Sequence, residues 1–99
     1  MKVLVIGGGG REHALCASIR RSPRVSEVVC APGNGGIGQV ARCVPASQKD
    51  LGDLLRVVSE ESPDLTVVGP EVPLSLGLAD ALLQRGMKVF GPTREAALL

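Results

Sequence analysis

A short apolar run that ends in four consecutive glycines is the feature of the sequence that most limits the fold. Residues 3–6 read Val-Leu-Val-Ile, and residues 7–10 are all glycine. Successive strand residues point to opposite faces, so a run that is apolar at every position indicates a strand buried on both faces, as in a parallel sheet. We predict strand one at residues 2–6 and a glycine-rich turn that leads into a helix at residues 11–21.

The rest of the chain alternates in the same way between short apolar runs and helical patterns. Four further strands are predicted at residues 27–31, 40–44, 65–68 and 88–90. Strands that alternate with helices imply right-handed crossovers and a parallel sheet covered on both faces. We therefore expect a doubly wound, Rossmann-like α/β domain of about five parallel strands. Because no linker, repeat or low-complexity segment interrupts the 99 residues, residues 1–99 are predicted to form one domain, without a second.

Capping residues and apolar spacing place three more helices. Ser47 and Asp50 are expected to be the N-cap and capping partner of the second helix, which Pro63 ends. Its apolar stripe at i, i+3, i+4 and i+7 consists of Leu51, Leu54, Leu55 and Val58. The third helix is expected to have Gly86 as its C-terminal cap and is marked by Leu74, Leu78, Ala81 and Leu82. A fourth is predicted to begin at Thr93.

Charge and composition exclude several classes of partner. The formal net charge is only +1, with eleven basic and ten acidic residues interspersed, and Phe90 is the one aromatic residue. The chain therefore lacks the basic face and stacking rings that nucleic-acid binding requires. No apolar run approaches the roughly 18 residues of a membrane span.

Three cysteines, Cys16, Cys30 and Cys43, are too few and too scattered for a disulfide framework or a zinc site, and no C-x-x-C pair occurs among them. We expect free, buried thiols. Free thiols are typical of a reducing compartment, so we expect a cytoplasmic protein.

A ligand is expected beyond the carboxyl ends of the strands. If the strand order is 3-2-1-4-5, residues 7–10 and 69–71 flank one crevice, with residues 33–35 nearby. Glycines that open directly into a helix leave backbone N–H groups free for an anion. Arg11 supports this, because a cation in a helix's first turn is disfavoured by roughly 0.3–1 kcal/mol unless a negative group offsets it. The alternative is a tight turn with a solvated Arg11.

The dinucleotide fingerprint G-x-G-x-x-G does not fit the glycine run. Starting at Gly7, the third glycine position holds Glu12, and starting at Gly8 it holds His13. No Gly-Lys-Ser/Thr follows the run, so the P-loop pattern fails as well. A phosphorylated ligand smaller than NAD or a nucleoside triphosphate is expected.

Three other residues near these loops leave their roles open. Glu12 is either a partner of the helix dipole or an acceptor for a ligand hydroxyl or amine. His13, the single histidine, has no base-orienting partner in the sequence and is expected to pack rather than react. Glu71 lies in a proline-rich loop and is expected to contact ligand. No catalytic residue and no metal ligand is predicted.

Four blocks of this sequence resemble the glycinamide ribonucleotide synthetase family, also called phosphoribosylamine-glycine ligase. The blocks are Val3 to Leu15 with its Gly-Gly-Arg-Glu-His core, Ala31 to Gly36, Val67 to Leu74, and Phe90 to Thr93. The four blocks occur in the order and spacing of the family and cover nearly the whole chain apart from a variable middle, residues 37–62. Departures are Gly35, where the family often has alanine, Val72, where alanine is common, and the absence of a tryptophan after the first block.

The resemblance implies the N-terminal domain of an ATP-dependent carbon-nitrogen ligase of de novo purine biosynthesis. In that reaction ATP phosphorylates glycine, and the amine of 5-phosphoribosylamine attacks the acyl phosphate. ATP and Mg²⁺ would be bound by a following ATP-grasp domain, so the 99 residues alone are expected to bind neither and to be inactive. The expected partners are that domain and phosphoribosylamine or glycinamide ribonucleotide. The implied substrate-binding residues are Gly8, Gly9, Gly10, Arg11, Glu12, Asn34, Gly69, Pro70 and Glu71.

Two other functions remain open on the sequence. One is the nucleotide domain of an oxidoreductase, which binding of NAD would support. The other is a stand-alone binding or assembly module without catalysis, which a reading frame that continues past Leu99 would exclude.

Overall fold

Five short strands carry the apolar runs of the sequence. The computed structural model describes residues 1–69 and 77–90. The strands are β1 (Lys2–Gly7), β2 (Glu27–Pro32), β3 (Arg42–Cys43), β4 (Leu65–Val68) and β5 (Val89–Phe90). They form one sheet in the order β3-β2-β1-β4-β5, and every neighbouring pair is parallel. The predicted doubly wound α/β fold and its strand order are confirmed.

Helices cover both faces of the sheet because strands are added on both sides of β1, first β2 and β3 and then β4 and β5. The helices are α1 (Gly10–Arg20), α2 (Leu51–Glu61) and α3 (Leu78–Gln84), with a short 3₁₀ helix at Ile37–Gln39. α1 connects β1 with β2, whereas α2 and α3 connect strands in the opposite direction, so right-handed crossovers place them on opposite faces. Within residues 1–69 and 77–90, no helix is both long and apolar enough to cross a membrane.

Each face of the sheet has its own apolar core, as the alternation of side chains along a strand requires. α2 and α3 bury one set, which includes Leu4, Ile6, Val29, Leu54, Val57, Val58, Val68, Leu78 and Leu82. α1 and the 3₁₀ helix bury the other, which includes Val3, Val5, Cys16, Val28, Cys30, Ile37 and Val67. β1 contributes to both cores and is buried from Val3 to Gly7, whereas Lys2 is only partly buried, which explains the continuous apolar run at residues 3–6.

The start of α2 differs from the prediction. Asp50, not Ser47, is the N-cap, and its carboxylate accepts the Asp53 N–H at 3.2 Å. Ser47 instead donates its backbone N–H to the Asp53 carboxylate at 2.7 Å. Both residue types cap helices well, so the pattern placed the cap one turn too early. The apolar stripe is also rotated: Val57 is buried with Leu54 and Val58, whereas Leu51 and Leu55 are only half-buried.

Apart from the start of α3, which lies at Leu78 whereas the predicted helix includes Leu74, the other described boundaries agree with the sequence within two residues. α1 begins one residue earlier than predicted, and β3 and β5 are shorter than their predicted ranges. Gly86 follows α3 with φ of +74°, and the Met87 and Gly86 N–H groups donate to the carbonyls of Leu82 and Leu83, which confirms the predicted cap. Leu74 and the helix predicted from Thr93 lie outside the described residues.

A buried hydroxyl on β4 leads to a stability prediction. Thr66 is 1% exposed, and within the described part of the chain its Oγ1 has no hydrogen-bond partner. An unpaired buried hydroxyl costs about 1–3 kcal/mol. Thr66→Val keeps the branched shape without the hydroxyl and is expected to raise the free energy of unfolding, measured in urea, by about 1 kcal/mol. Thr66→Ser, which keeps the hydroxyl, should lower it, and destabilisation by valine would contradict the prediction.

Ion pairs tie the edge strand β3 to the rest of the domain. Arg42 contacts Glu27 of β2 at 2.8 Å and also pairs with Glu61 of α2. Lys2 of β1 lies 3.0 Å from the same Glu61 carboxylate. The Arg42 hydrogen bond, and then that of Lys2, holds the pKa of Glu61 below its ordinary value of 4.5.

This network predicts how stability responds to acid. Because the folded pKa of Glu61 is depressed, its contribution is complete above the unfolded pKa of about 4.5 and is lost as pH falls through the folded pKa. Glu61→Gln is expected to lower the free energy of unfolding by roughly 1 kcal/mol at neutral pH and by less in acid. Glu60→Gln on the same helix is the matched control. Denaturant titrations at neutral and acidic pH measure both, and an equal loss at both pH values would exclude the ion pairs as the cause.

Candidate functional site

Three loops meet at the carboxyl edge of the sheet. The glycine run at residues 7–10 joins the last residue of β1 to the first residue of α1, residues 33–36 follow β2, and Gly69 follows β4. The chain turns from β1 toward β2 on one side, while β4 lies on the other, so strand order reverses here. Doubly wound sheets bind their ligands at this point.

Close packing around the first loop explains two of its glycines. Gly7 has φ of +141°, and a Cβ at this position would overlap the Glu12 side chain. A Cβ on Gly8 would lie 2.8 Å from the Gly33 carbonyl oxygen, which as backbone cannot easily move. In contrast, a Cβ at Gly10 or Gly35 would meet nothing within 4 Å. The first loop therefore requires glycine most strongly at its start.

Backbone and amide hydrogen bonds fasten the second loop to the first. The Gly33 N–H donates to the Gly7 carbonyl at 3.0 Å. The Asn34 side-chain amide donates to the Gly8 carbonyl at 2.6 Å, and its oxygen accepts the Ile37 N–H at 2.9 Å. Asn34 thus lies at the predicted site, and its side chain joins the two loops.

Glu12 is a buried acid at the start of α1. Gly9 is the N-cap and has no side chain to satisfy the first turn. The Glu12 carboxylate reaches back toward the Gly9 N–H, at 3.4 Å, and the residue is only 6% exposed. An anion in the first turn is favoured by the helix dipole. The carboxylate also lies beside the positions of Gly7 and Gly69, where the loops after β1 and β4 come together.

Arg11 spans the two loops and remains accessible. Its Nη2 donates to the Gly69 carbonyl at 3.0 Å, and its Nε lies 3.6 Å from the Glu12 carboxylate. The side chain is nevertheless 75% exposed. Glu12 supplies the negative charge that offsets Arg11 in the first turn, so the position of the cation alone does not require a phosphate. What favours a ligand is an oriented guanidinium with N–H groups free to reach solvent.

His13 packs against the second loop. Its ring lies 3.4 Å from the position of a Cβ on Gly36, and the residue is half-buried. In the described ranges no three His, Cys, Asp or Glu side chains are arranged to hold a metal ion. Pro70 and Glu71, both predicted site residues, lie outside the described residues.

Two of the three cysteines, Cys30 and Cys43, contact carbonyl groups of these loops. Cys16 and Cys30 are buried and free as predicted, but Cys43 is exposed, because β3 is a two-residue strand at the sheet edge. The Cys30 thiol donates to the Gly7 carbonyl at 3.2 Å, and the Cys43 thiol contacts the Asn34 carbonyl at 3.6 Å. The contact with Cys16, followed by burial, raises the pKa of the Cys30 thiol, whereas the contact with Cys30 lowers that of Cys16.

One cavity adjoins the site. We call it the Phe90 groove; it has a volume of about 410 Å³ and is lined by Arg11, Glu12, Ala14, Leu15, Val67, Val68, Gly69 and Phe90. A larger cavity, of about 560 Å³, lies at the opposite edge of the sheet, between Met1, Asp64 and Met87. Ligands of doubly wound folds bind at carboxyl ends of strands, so the loops beside Arg11 remain the candidate site.

The structure brings most of the predicted site residues together. Arg11 and Glu12 meet Gly69, and Asn34 meets Gly8. Sequence reasoning missed that Glu12 is buried and that Cys30 and Cys43 support the loop carbonyls. A signal was present for Glu12, since a glycine N-cap leaves an acid three residues later as the capping group.

Comparisons with known proteins agree with this geometry. The model of the family described as phosphoribosylglycinamide synthetase, N domain, matches residues 1–99. The chain is 48% identical over 99 residues to the phosphoribosylamine–glycine ligase of Caldanaerobacter subterraneus subsp. tengcongensis, and 54% identical over 101 residues to that of Xanthomonas campestris pv. campestris. Both matches cover 100% of the chain but only 24% and 23% of those relatives, so the chain spans about a quarter of their length.

A solved structure shows the same architecture. The crystal structure of phosphoribosylamine–glycine ligase from Thermotoga maritima superposes with a TM-score of 0.62 and 26% identity, over 96% of this chain and 20% of that one. The sequence resemblance is thereby confirmed. With its strand order, its linked glycine loops and a family model matched along its whole length, this chain belongs to the phosphoribosylglycinamide synthetase N-domain family.

Proposed function

We propose that this domain binds the phosphoribosyl part of phosphoribosylamine, and of the product glycinamide ribonucleotide, within a longer ligase. The observation that carries the proposal is Arg11, whose guanidinium is oriented by Gly69 and Glu12 yet remains largely exposed. A guanidinium held in this way presents paired N–H donors to phosphate oxygens. The amino end of α1 adds a positive dipole beside it.

Each loop residue has a distinct part in this proposal. Gly8, Gly9 and Gly10 let backbone approach the phosphate, and Arg11 neutralises its charge. Asn34, Gly69, Pro70 and Glu71 are proposed to shape the same pocket and to orient the hydroxyls or the amine of the ligand. Glu12 holds Arg11 and the first turn of α1 in place, in addition to any contact with the ligand.

Bond formation would take place outside these 99 residues. The proposed reaction is that of the longer relatives: ATP phosphorylates the glycine carboxylate, and the amine of phosphoribosylamine displaces that phosphate. By the resemblance to that family, ATP and Mg²⁺ would be held by an ATP-grasp domain of the longer ligase. This domain would position one substrate for purine synthesis. Its three free thiols suit the reducing cytoplasm.

Calorimetric titration with three ligands tests the proposal. We expect glycinamide ribonucleotide to bind, ribose 5-phosphate to bind more weakly, and NAD not to bind. Ribose 5-phosphate reports the phosphoribosyl contacts alone, and the difference between it and the product reports the contacts to the amide. Binding of NAD in preference to both would favour the oxidoreductase alternative. Without any binding, the titration is repeated on the full-length ligase, where a failure of glycinamide ribonucleotide to bind would refute the proposal.

A further inference from the structure

Cys30 and Cys43 lie side by side on neighbouring strands. They are register partners in the parallel pair of β2 and β3. Neighbouring strands are about 4.8 Å apart, which is within the roughly 4.4–6.8 Å between Cα atoms that a disulfide requires. Cys30 belongs to the core on the α1 face, whereas Val44, which follows Cys43, packs on the opposite core. Because successive strand residues alternate, both thiols lie on the α1 face.

The surroundings of Gly33 show independently that the two side chains are close. A Cβ built on Gly33 would lie 3.1 Å from the Cβ of Cys43 and 3.6 Å from the Cβ of Cys30, and it would overlap the Cys43 Sγ. The two cysteines thus border the same point, on the inner side of the loop that follows β2. Glycine at this position places no side chain between them.

We propose that Cys30 and Cys43 form a reversible disulfide, which makes the glycine loops sensitive to oxidation. Cys43 is exposed whereas Cys30 is 0% exposed, so an oxidant from solvent reaches Cys43 first. The contact with Cys16, followed by burial, raises the pKa of Cys30, so this residue remains a thiol until its neighbour has been oxidised. In a reducing compartment the pair stays open, and disulfides of this kind act as transient redox sensors.

The oxidant is a hydroperoxide, and the reaction has two steps. The Cys43 thiolate attacks a peroxide oxygen, so that an S–O bond forms and the O–O bond breaks; with hydrogen peroxide the products are a sulfenic acid and, after protonation, water. The Cys30 sulfur then attacks the Cys43 sulfur. The S–S bond forms as the S–O bond breaks, and hydroxide leaves with the Cys30 proton as water. Two thiols are oxidised and one peroxide is reduced, and a thiol reductant reverses the change.

The disulfide would remove two sulfur contacts from the loops of the candidate site. The Cys30 thiol donates to the Gly7 carbonyl at 3.2 Å, and the Cys43 thiol contacts the Asn34 carbonyl at 3.6 Å. Neither sulfur of a disulfide carries a proton to donate. Because Gly7 and Asn34 lie in the two loops that are fastened to each other, oxidation is expected to loosen both.

Peptide mapping tests the pairing, because trypsin separates the three cysteines. Cleavage after lysine and arginine places Cys16, Cys30 and Cys43 in residues 12–20, 25–42 and 43–49, respectively. After the folded protein is treated with hydrogen peroxide, we expect the second and third peptides to be joined with the loss of two hydrogen atoms, and to separate again with dithiothreitol. Cys16→Ala is the matched control and should form the same link, whereas Cys43→Ser should form none. Circular dichroism confirms that each variant is folded.

Deuterium exchange tests the effect on the loops. We expect the amides of residues 33–36 to exchange several-fold faster in the oxidised protein than in the reduced one, and Cys43→Ser to show no such difference. A link between Cys16 and Cys30, a link between two copies of the chain, or oxidation of Cys43 without any link would overturn the pairing. Equal exchange in both forms would overturn the effect on the loops. Neither measurement uses a ligand, so this proposal and that of phosphoribosyl binding can fail separately.

Discussion

Replacing Gly7 with alanine is expected to lower the free energy of unfolding by about 2–6 kcal/mol, as the sum of backbone strain and overpacking. The residue has φ of +141°, a conformation that costs a side-chain-bearing residue about 1–3 kcal/mol. The new Cβ would also overlap the buried Glu12 side chain. Because the Gly7 carbonyl accepts from Gly33 and Cys30, a shift at this residue would disturb both loops.

Urea denaturation measures this loss, and Gly10→Ala is its matched control. Gly10 is the first residue of α1, and a Cβ there meets nothing within 4 Å. Alanine in a helix is favoured over glycine by roughly 0.5–1 kcal/mol, so the control should be neutral or stabilising. If both substitutions had the same effect, neither the positive φ nor the contact with Glu12 would matter for stability.

Replacing Arg11 with alanine is expected to weaken binding of glycinamide ribonucleotide by roughly 10- to 100-fold. Hydrogen bonds to charged groups contribute about 1.5–3 kcal/mol, and each 1.4 kcal/mol is a tenfold change in affinity. Stability should change little, because the side chain is 75% exposed. Calorimetric titration of the variant measures the loss. Arg20→Ala, at the other end of α1, is the control that keeps the site intact.

The same substitution in the full-length ligase distinguishes a substrate site from a general defect. We expect Arg11→Ala to impair the use of phosphoribosylamine far more than the use of glycine or ATP. Arg11→Lys keeps the charge but not the paired donors, so its use of phosphoribosylamine should lie between that of the unchanged enzyme and that of Arg11→Ala. An equal loss for all three substrates would place Arg11 outside the phosphoribosyl site.

The sequence predicts the sheet well because its strongest signals are local. The short, β-branched run at residues 3–6, which ends in glycines, favours a doubly buried strand, and its alternation with helical patterns favours a parallel sheet. Which residues of a helix face the sheet was less predictable. The spacing i, i+3 and i+4 fits Leu51, Leu54 and Leu55 as well as it fits the buried set of Leu54, Val57 and Val58, and only packing on the sheet decides which set is buried. The same limit applies to Cys43, whose exposure follows from the shortness of an edge strand.

The candidate site was predictable as a set of loops but not as a set of contacts. The sequence predicts that residues 7–10 and 69–71 flank one crevice with residues 33–35 nearby, and the structure brings residues 7–10, 33–36 and Gly69 together, whereas residues 70 and 71 lie outside the described part of the chain. The pairing of Arg11 with Glu12, and of Asn34 with the Gly8 carbonyl, depends on side-chain rotamers and loop distances that no local pattern encodes. The sequence therefore predicts where the crevice lies, while the structure shows which side-chain contacts join the loops around it.

Because the three thiols are unequally buried, their rates of alkylation can report separately on local and global opening of the protein. An alkylating reagent can reach Cys43 in the folded protein, whereas Cys16 and Cys30 become reactive only on unfolding. The first alkylation rate would thus report on the loop of Gly33 and Asn34, against which Cys43 lies, and the later rates would report on global opening. Mass spectrometry separates the singly and fully alkylated species. A ligand that restricts the loop would slow the first alkylation, whereas a ligand that stabilises the whole fold would slow the later ones.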